Sequence, residues 1–188
     1  MRSIALATAV AAALFASPVL ADDISDAIAE AGAAYEANDL NKAKQALDLA
    51  NQMVAQKQAD GLALLLPEPP AGWTAEAVDT GGGVGAFLGG GLMVKRAYSK
   101  GETQANVQLM ANSPILGSLA PLFSNVQMLG GMGKVFRHKG RVAVLTTEGE
   151  IQMVLGKTYL TIDGSAPEAD KRALLDRLDF AALEAFSK

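Results

Sequence analysis

The chain of 188 residues contains no cysteine. A disulfide scaffold, a thiolate metal site and a cysteine nucleophile are therefore all excluded. It has one histidine, His138, which excludes an HExxH motif, a multi-histidine zinc site and any scheme needing two imidazoles. Aromatic residues make up only 5% of the chain, with Trp73 the one tryptophan. Positive charge is in short supply, with 16 Lys and Arg against 20 Asp and Glu, a net charge of −4. An acidic chain is a poor partner for nucleic acid, because phosphate contacts need a basic surface. Beyond residue 21 no apolar run approaches the roughly 20 residues that span a bilayer.

The most informative segment present is the first, MRSIALATAVAAALFASPVLA. Arg2 supplies a positive n-region, and Ile4 to Phe15 an apolar h-region. Val19 and Ala21 place small side chains at the −3 and −1 positions before Asp22-Asp23. This predicts a signal peptide cleaved after Ala21 and an exported mature chain. No cysteine follows that could carry a lipid. Loss of Arg2, the one charged residue in 1–21, takes the net charge from −4 to −5.

Residues 22–66 are alanine-rich and carry helical spacing. Ile24, Ile28, Ala31 and Tyr35 fall on one face, and Ala43, Leu47, Ala50 and Val54 repeat the pattern. Asn38-Asp39 between them predicts a turn and a cap, hence a helical hairpin. AAYEANDLNKAKQALDLA resembles half of a tetratricopeptide-like unit, with Tyr35 on the first helix and Ala43, Leu47 and Ala50 on the second. A lone unit of that kind cannot bury its own face, so the hairpin is expected to pack on the rest of the chain or on a partner.

Leu64-Leu65-Leu66-Pro67-Glu68-Pro69-Pro70 ends the helix. After Trp73 the period changes to two. Candidate strands are Trp73–Val78, Leu92–Ser99, Gln104–Met110, Lys134–His138, Val142–Thr147, Ile151–Leu155 and Tyr159–Asp163. Turns at Gly101-Glu102, Lys139-Gly140, Glu148-Gly149 and Gly156-Lys157 are too short for parallel crossovers and make the pairing antiparallel. Ser113–Gln127 reads as an inserted helix with Ser113 as N-cap and Pro114 at the first helical position. Pro167–Phe186 reads as one or two amphipathic helices. The expected fold is α+β: a helical hairpin over 22–66, then over 67–188 an antiparallel sheet of six or seven strands with one inserted helix and a C-terminal helix.

Chemistry is sparsely signposted. GGGVGAFLGGG at 81–91 has neither GxGxxG nor P-loop spacing, and a strand follows it where a phosphate cradle needs a helix. It reads as a connection whose apolar residues can act as a flap. Ser113 to Gly133 carries no charged residue, which suits a groove or an interface. Phe87, Leu88, Met93, Leu119, Phe123 and Met128 are the candidate residues of an apolar groove under that flap. Arg137, His138, Lys139 and Arg141 form a basic hairpin tip, a candidate docking patch for an acidic partner or anionic headgroups. The methionines show no metal-binding spacing, so no metal or other cofactor is expected. Glu148, Glu150 and Asp163 are the carboxylates from which a hydrolytic pair, about 5–9 Å apart, would have to come.

LPEPPAGW, the glycine-rich loop, RAYSKGETQANVQLMANSPILGSLAPLFSN and GEIQMVLG together are similar to a group of uncharacterised exported proteins of Gram-negative bacteria. That likeness implies the periplasm and carries no catalytic residue. The Pro-Pro-x-Gly-Trp start, followed by hairpins and a helix, resembles more remotely the PsbP/Mog1-like sheet domains, which act as binding or assembly factors. The expected function is non-catalytic: a periplasmic binding or accessory protein engaging a protein partner or small apolar ligand. The alternatives are a carboxylate-only hydrolase and a membrane-surface accessory docking through 137–141.

Overall fold

A computed structural model describes residues 22–81 and 91–186. The signal-peptide reading and the flap residues Phe87 and Leu88 lie outside the described residues. The chain forms two compact units, Met1–Ala50 and Asn51–Lys188. The division falls inside the second helix, four turns before the expected boundary at 66, because Ala59, Leu62 and Leu66 belong to the core of the sheet unit.

In the first unit, helix α1 (Asp23–Glu36) is N-capped by Asp22, whose carboxylate accepts from the Ser25 amide. Helix α2 (Leu40–Ala63) follows a turn in which Asn38 takes a left-handed φ of 59°. Asp39 accepts from the Lys42 amide at 3.0 Å, as a cap does. The buried positions differ from the expected face. Ala27, Ala31 and Ala34 on α1 and Ala43, Ala46 and Ala50 on α2 are buried, whereas Ile28, Tyr35 and Leu47 are exposed. The hairpin therefore buries its alanine rows and leaves the larger apolar side chains outside. Glu30 pairs with Lys42 at 3.2 Å.

The second unit is a seven-stranded antiparallel sheet in the order β1-β2-β3-β7-β6-β5-β4. Its strands are β1 (Thr74–Ala75), β2 (Leu92–Lys100), β3 (Thr103–Ala111), β4 (Gly133–His138), β5 (Arg141–Thr146), β6 (Ile151–Leu155) and β7 (Thr158–Asp163). Two meanders, β1 to β3 and β4 to β7, meet where β3 pairs with β7. The inserted helix is split into α3 (Ile115–Ser124) and α4 (Val126–Gly130), because Asn125 turns extended and caps α4 by accepting from the amides of Gln127 and Met128. The C-terminal segment is likewise two helices, α5 (Glu168–Asp176) and α6 (Phe180–Phe186). After β7, Gly164 adopts φ 103°, and a Cβ there would stand 2.5 Å from the Gln104 carbonyl oxygen. Only glycine suits that corner.

Alternation decides which face is sealed. Val94, Tyr98, Val107, Leu109, Ile151, Met153, Leu160 and Ile162 point to one side and are fully buried. They form one core with Leu62, Leu66, Trp73, Leu174, Leu178 and Leu183. Tyr98 is the polar exception. Its hydroxyl donates to the Pro67 carbonyl at 2.6 Å, and burial pushes its pKa up to about 12. Arg96 lies over the Tyr98 ring and donates to the carbonyl of Glu76. These two residues pin the proline-rich connection to β2.

Tyr98→Phe removes the main donor to a buried carbonyl and is expected to lower stability by about 1–2 kcal/mol. Urea denaturation checks this, with a lower midpoint and an unchanged slope as the expected result.

Candidate functional site

The opposite face of the sheet is half-buried, and its side chains follow from strand register. One row runs Met93, Met110, Tyr159, Val154 across β2, β3, β7 and β6. The next runs Lys95, Gln108, Thr161, Gln152, Val144. A third holds Ala97, Asn106 and Asp163. The first row is apolar and the others are rich in amides and hydroxyls. All these side chains except Val144 are half-exposed. From Thr103 to Gly133 no residue is charged, so β3 and the α3–α4 strap give this face a neutral border.

The strap lies at one end of the face. α4 packs along β4, and α3 reaches β6. Phe123 of α3 meets the Tyr159 ring edge-on, with centroids 6.0 Å apart. Burial raises the pKa of Tyr159, a hydrogen bond with Thr161 opposes the shift, and the Glu150 carboxylate adds to it. Tyr159 therefore joins the apolar row to the polar one: its ring packs on Phe123 and its hydroxyl sits among Thr161 and Glu150. Asn106 donates to Asp163 at 2.6 Å, and Gln152 donates to Glu150 at 2.9 Å.

Of the candidate groove residues, Met93 and Phe123 both border this face, linked through Met110 and Tyr159. Leu119 is half-buried on α3. Met128 is 55% exposed on α4. Because α4 packs at β4, with β3, β7, β6 and β5 standing between β4 and β2, Met128 does not share a groove with Met93. Gly81, one end of the glycine-rich segment, lies beside the Met93 side chain, and Gly91, the other, against Ser113. Met110, Tyr159, Gln108, Thr161 and Gln152 carry no local motif. Their alternation was visible, but the β3–β7 pairing that gathers them was not.

The basic hairpin tip, the candidate docking patch, is largely bonded within the chain. Lys139 donates to the carbonyls of Asp176 at 2.6 Å and Leu178 at 3.1 Å, at the C-terminal end of α5. Cations are favoured there by the helix dipole. Arg141 grips Glu184 of α6 through two hydrogen bonds. His138 packs near Phe180 and lies 3.0 Å from the Asp176 carboxylate. Arg137, the fourth, is exposed. The tip fastens the C-terminal helices to the sheet.

Of the three carboxylates, Glu150 and Asp163 border the outer face. Glu148 stands apart in the β5–β6 turn, where its own amide and the hydroxyls of Thr147 and Thr146 hold its pKa below the ordinary value. Among the described residues there is no group of three or more His, Asp and Glu side chains that could hold a metal ion. No helix among them is long and apolar enough to cross a membrane. The chain matches no family model, no curated protein and no solved structure.

Burial lowers the His138 pKa below its usual 6.5, more than the neighbouring Asp176 raises it, while Lys139 and Arg172 lower it further. The unfolded chain therefore binds the proton more readily than the folded one. Stability is expected to be full above the unfolded value of about 6.5 and to fall as pH drops from there through the lower folded value. His138→Gln should flatten that part of the profile. Denaturation midpoints measured from pH 8 to pH 5 for both proteins check it.

Proposed function

We infer that this chain is an exported, non-catalytic binding or accessory protein, processed after Ala21 and working in the periplasm. It engages a small apolar ligand or a protein partner through the outer face of its sheet. One observation carries the reading: Met93, Met110, Tyr159 and Val154 stand side by side on the half-buried outer face, with Phe123 against Tyr159. An antiparallel sheet normally turns polar side chains to water on its outer face. Apolar side chains collected in one row there are suited to a ligand. Methionine adapts to varied apolar shapes, and the polar rows alongside can orient a polar group. The sequence likeness to uncharacterised exported proteins is in keeping with the periplasm, and the remoter one to PsbP/Mog1-like domains with a binding role.

A second reading has one observation in its favour. Glu150 and Asp163 border the same face, as a carboxylate-only hydrolase would need. Each carboxylate, however, already accepts an amide proton, from Gln152 and Asn106. That arrangement suits fixed acceptors better than a proton donor.

Native mass spectrometry of the protein purified gently from its own compartment tests the binding reading. The expected result is an added mass, of a small molecule or a polypeptide, that survives gentle desolvation. Met93→Ser with Met110→Ser should lower its occupancy about tenfold or more, since each buried apolar side chain contributes about 1.5–3 kcal/mol. An unmodified mass for the wild-type chain, or equal occupancy in the double variant, contradicts it.

A further inference from the structure

The sheet ends on one side at β4, with no strand beyond it. Which of its backbone groups are left over follows from the β4–β5 hairpin. Lys139 and Gly140 form a two-residue turn, with φ of 45° and 79°, and His138 faces Arg141 across it. The pair that closes such a turn is a hydrogen-bonded one. Alternation then makes Phe136 with Ala143 and Lys134 with Leu145 the next bonded pairs, and leaves Val135 and Arg137 in the non-bonded positions between them. The N–H and C=O groups of Val135 and Arg137 therefore point away from β5. Among the described residues no hydrogen bond takes up these four groups. An edge of this kind is a template for another extended chain.

We propose that the β4 edge takes up an extended, acidic segment of a partner protein as an eighth strand of the sheet. The backbone sets the conformation of the occupant, and the side chains set its charge. The chain is acidic as a whole, yet no Asp or Glu occurs between Glu102 and Glu148. Lys134 and Arg137 are exposed and have no ion-pair partner among the described residues. The carboxylates that the C-terminal helices bring to this hairpin and its surroundings are already matched: Asp176 by His138, Glu184 by Arg141 and Glu168 by Arg172. Three positions separate Lys134 from Arg137, so they stand on opposite faces of the sheet and flank the edge from both sides. The segment that fits carries two carboxylates at the same spacing. A second copy is the poorer occupant, because an antiparallel seam of β4 with itself would gather the Lys134 and Arg137 of both copies along one line.

Fluorescence anisotropy of the full chain with a labelled peptide, Thr-Val-Glu-Val-Thr-Glu-Val-Thr, tests this. The expected result is saturable binding that Val135→Pro weakens about tenfold or more. That substitution removes one outward N–H and keeps every charge, and proline is tolerated on an edge strand, so circular dichroism should be unchanged. Lys134→Glu with Arg137→Glu should weaken the acidic peptide equally and favour the same peptide with lysine in place of glutamate. A peptide with two prolines between its glutamates keeps the charge but loses the ladder, and it should not bind the wild-type protein. No binding of the acidic peptide overturns the proposal, as does equal binding of the lysine or the proline peptide. A dimer in sedimentation equilibrium that Val135→Pro dissociates would also overturn it, by giving the edge to a second copy.

Discussion

Alternation along the four central strands β2, β3, β7 and β6 is the constraint on which the sheet unit depends. In β3, Ala105, Val107, Leu109 and Ala111 are fully buried while Asn106, Gln108 and Met110 face the other way. A slip of one residue would exchange the two faces. It would bury the amide ladder and expose the core, at about 1.5–3 kcal/mol for each large aliphatic side chain. With no disulfide available, this patterning carries the stability of the unit. It also fixes the outer face, because the residues that cannot be buried are placed there by the same register.

Two features shape that outer face. First, the two meanders join at β3 and β7, so that Met110 and Tyr159 become cross-strand partners although 49 positions separate them in the sequence. Second, the uncharged α3–α4 strap crosses from β3 to the far edge of the sheet and brings Phe123 to Tyr159. The opposite side is closed by α5 and α6, which the β4–β5 hairpin clasps through Lys139 and Arg141. One face of the sheet is thereby sealed by helices, and the other is left half-buried.

What could be read from the chain followed the range of the forces involved. Strands and hairpins were legible to within two residues for β2 to β7, because Gly101, Gly140, Gly149 and Gly156 announce tight turns locally, each with a positive φ. The first strand was overextended: only Thr74 and Ala75 pair, with an isolated bridge at Asp79. The break at Asn125 was missed because the apolar spacing runs through it, while the cap depends on a single side chain. The hairpin face was misread because size suggested Ile28 and Tyr35 for burial, whereas the structure buries alanines. The role of the basic tip could not be seen either. Its partners, Asp176 and Glu184, lie some forty residues downstream, and Lys139 bonds to backbone carbonyls that no side-chain pattern reveals. Among the site residues, Met93 and Phe123 were found from composition. Tyr159 and the amide rows required the strand order.

The central claim is that recognition takes place on the outer face, at the apolar row. Nuclear magnetic resonance of methionine methyl groups in the ¹³C-labelled protein tests it most directly, because methionines sample each region: Met93 and Met110 in the row, Met128 on the strap, and Met153 in the sealed core. On adding a small-molecule and protein extract of the cells that make the protein, the account predicts shifts or broadening at Met93 and Met110, with Met153 unmoved. Changes confined to Met128, or no change at Met93 and Met110, would contradict it.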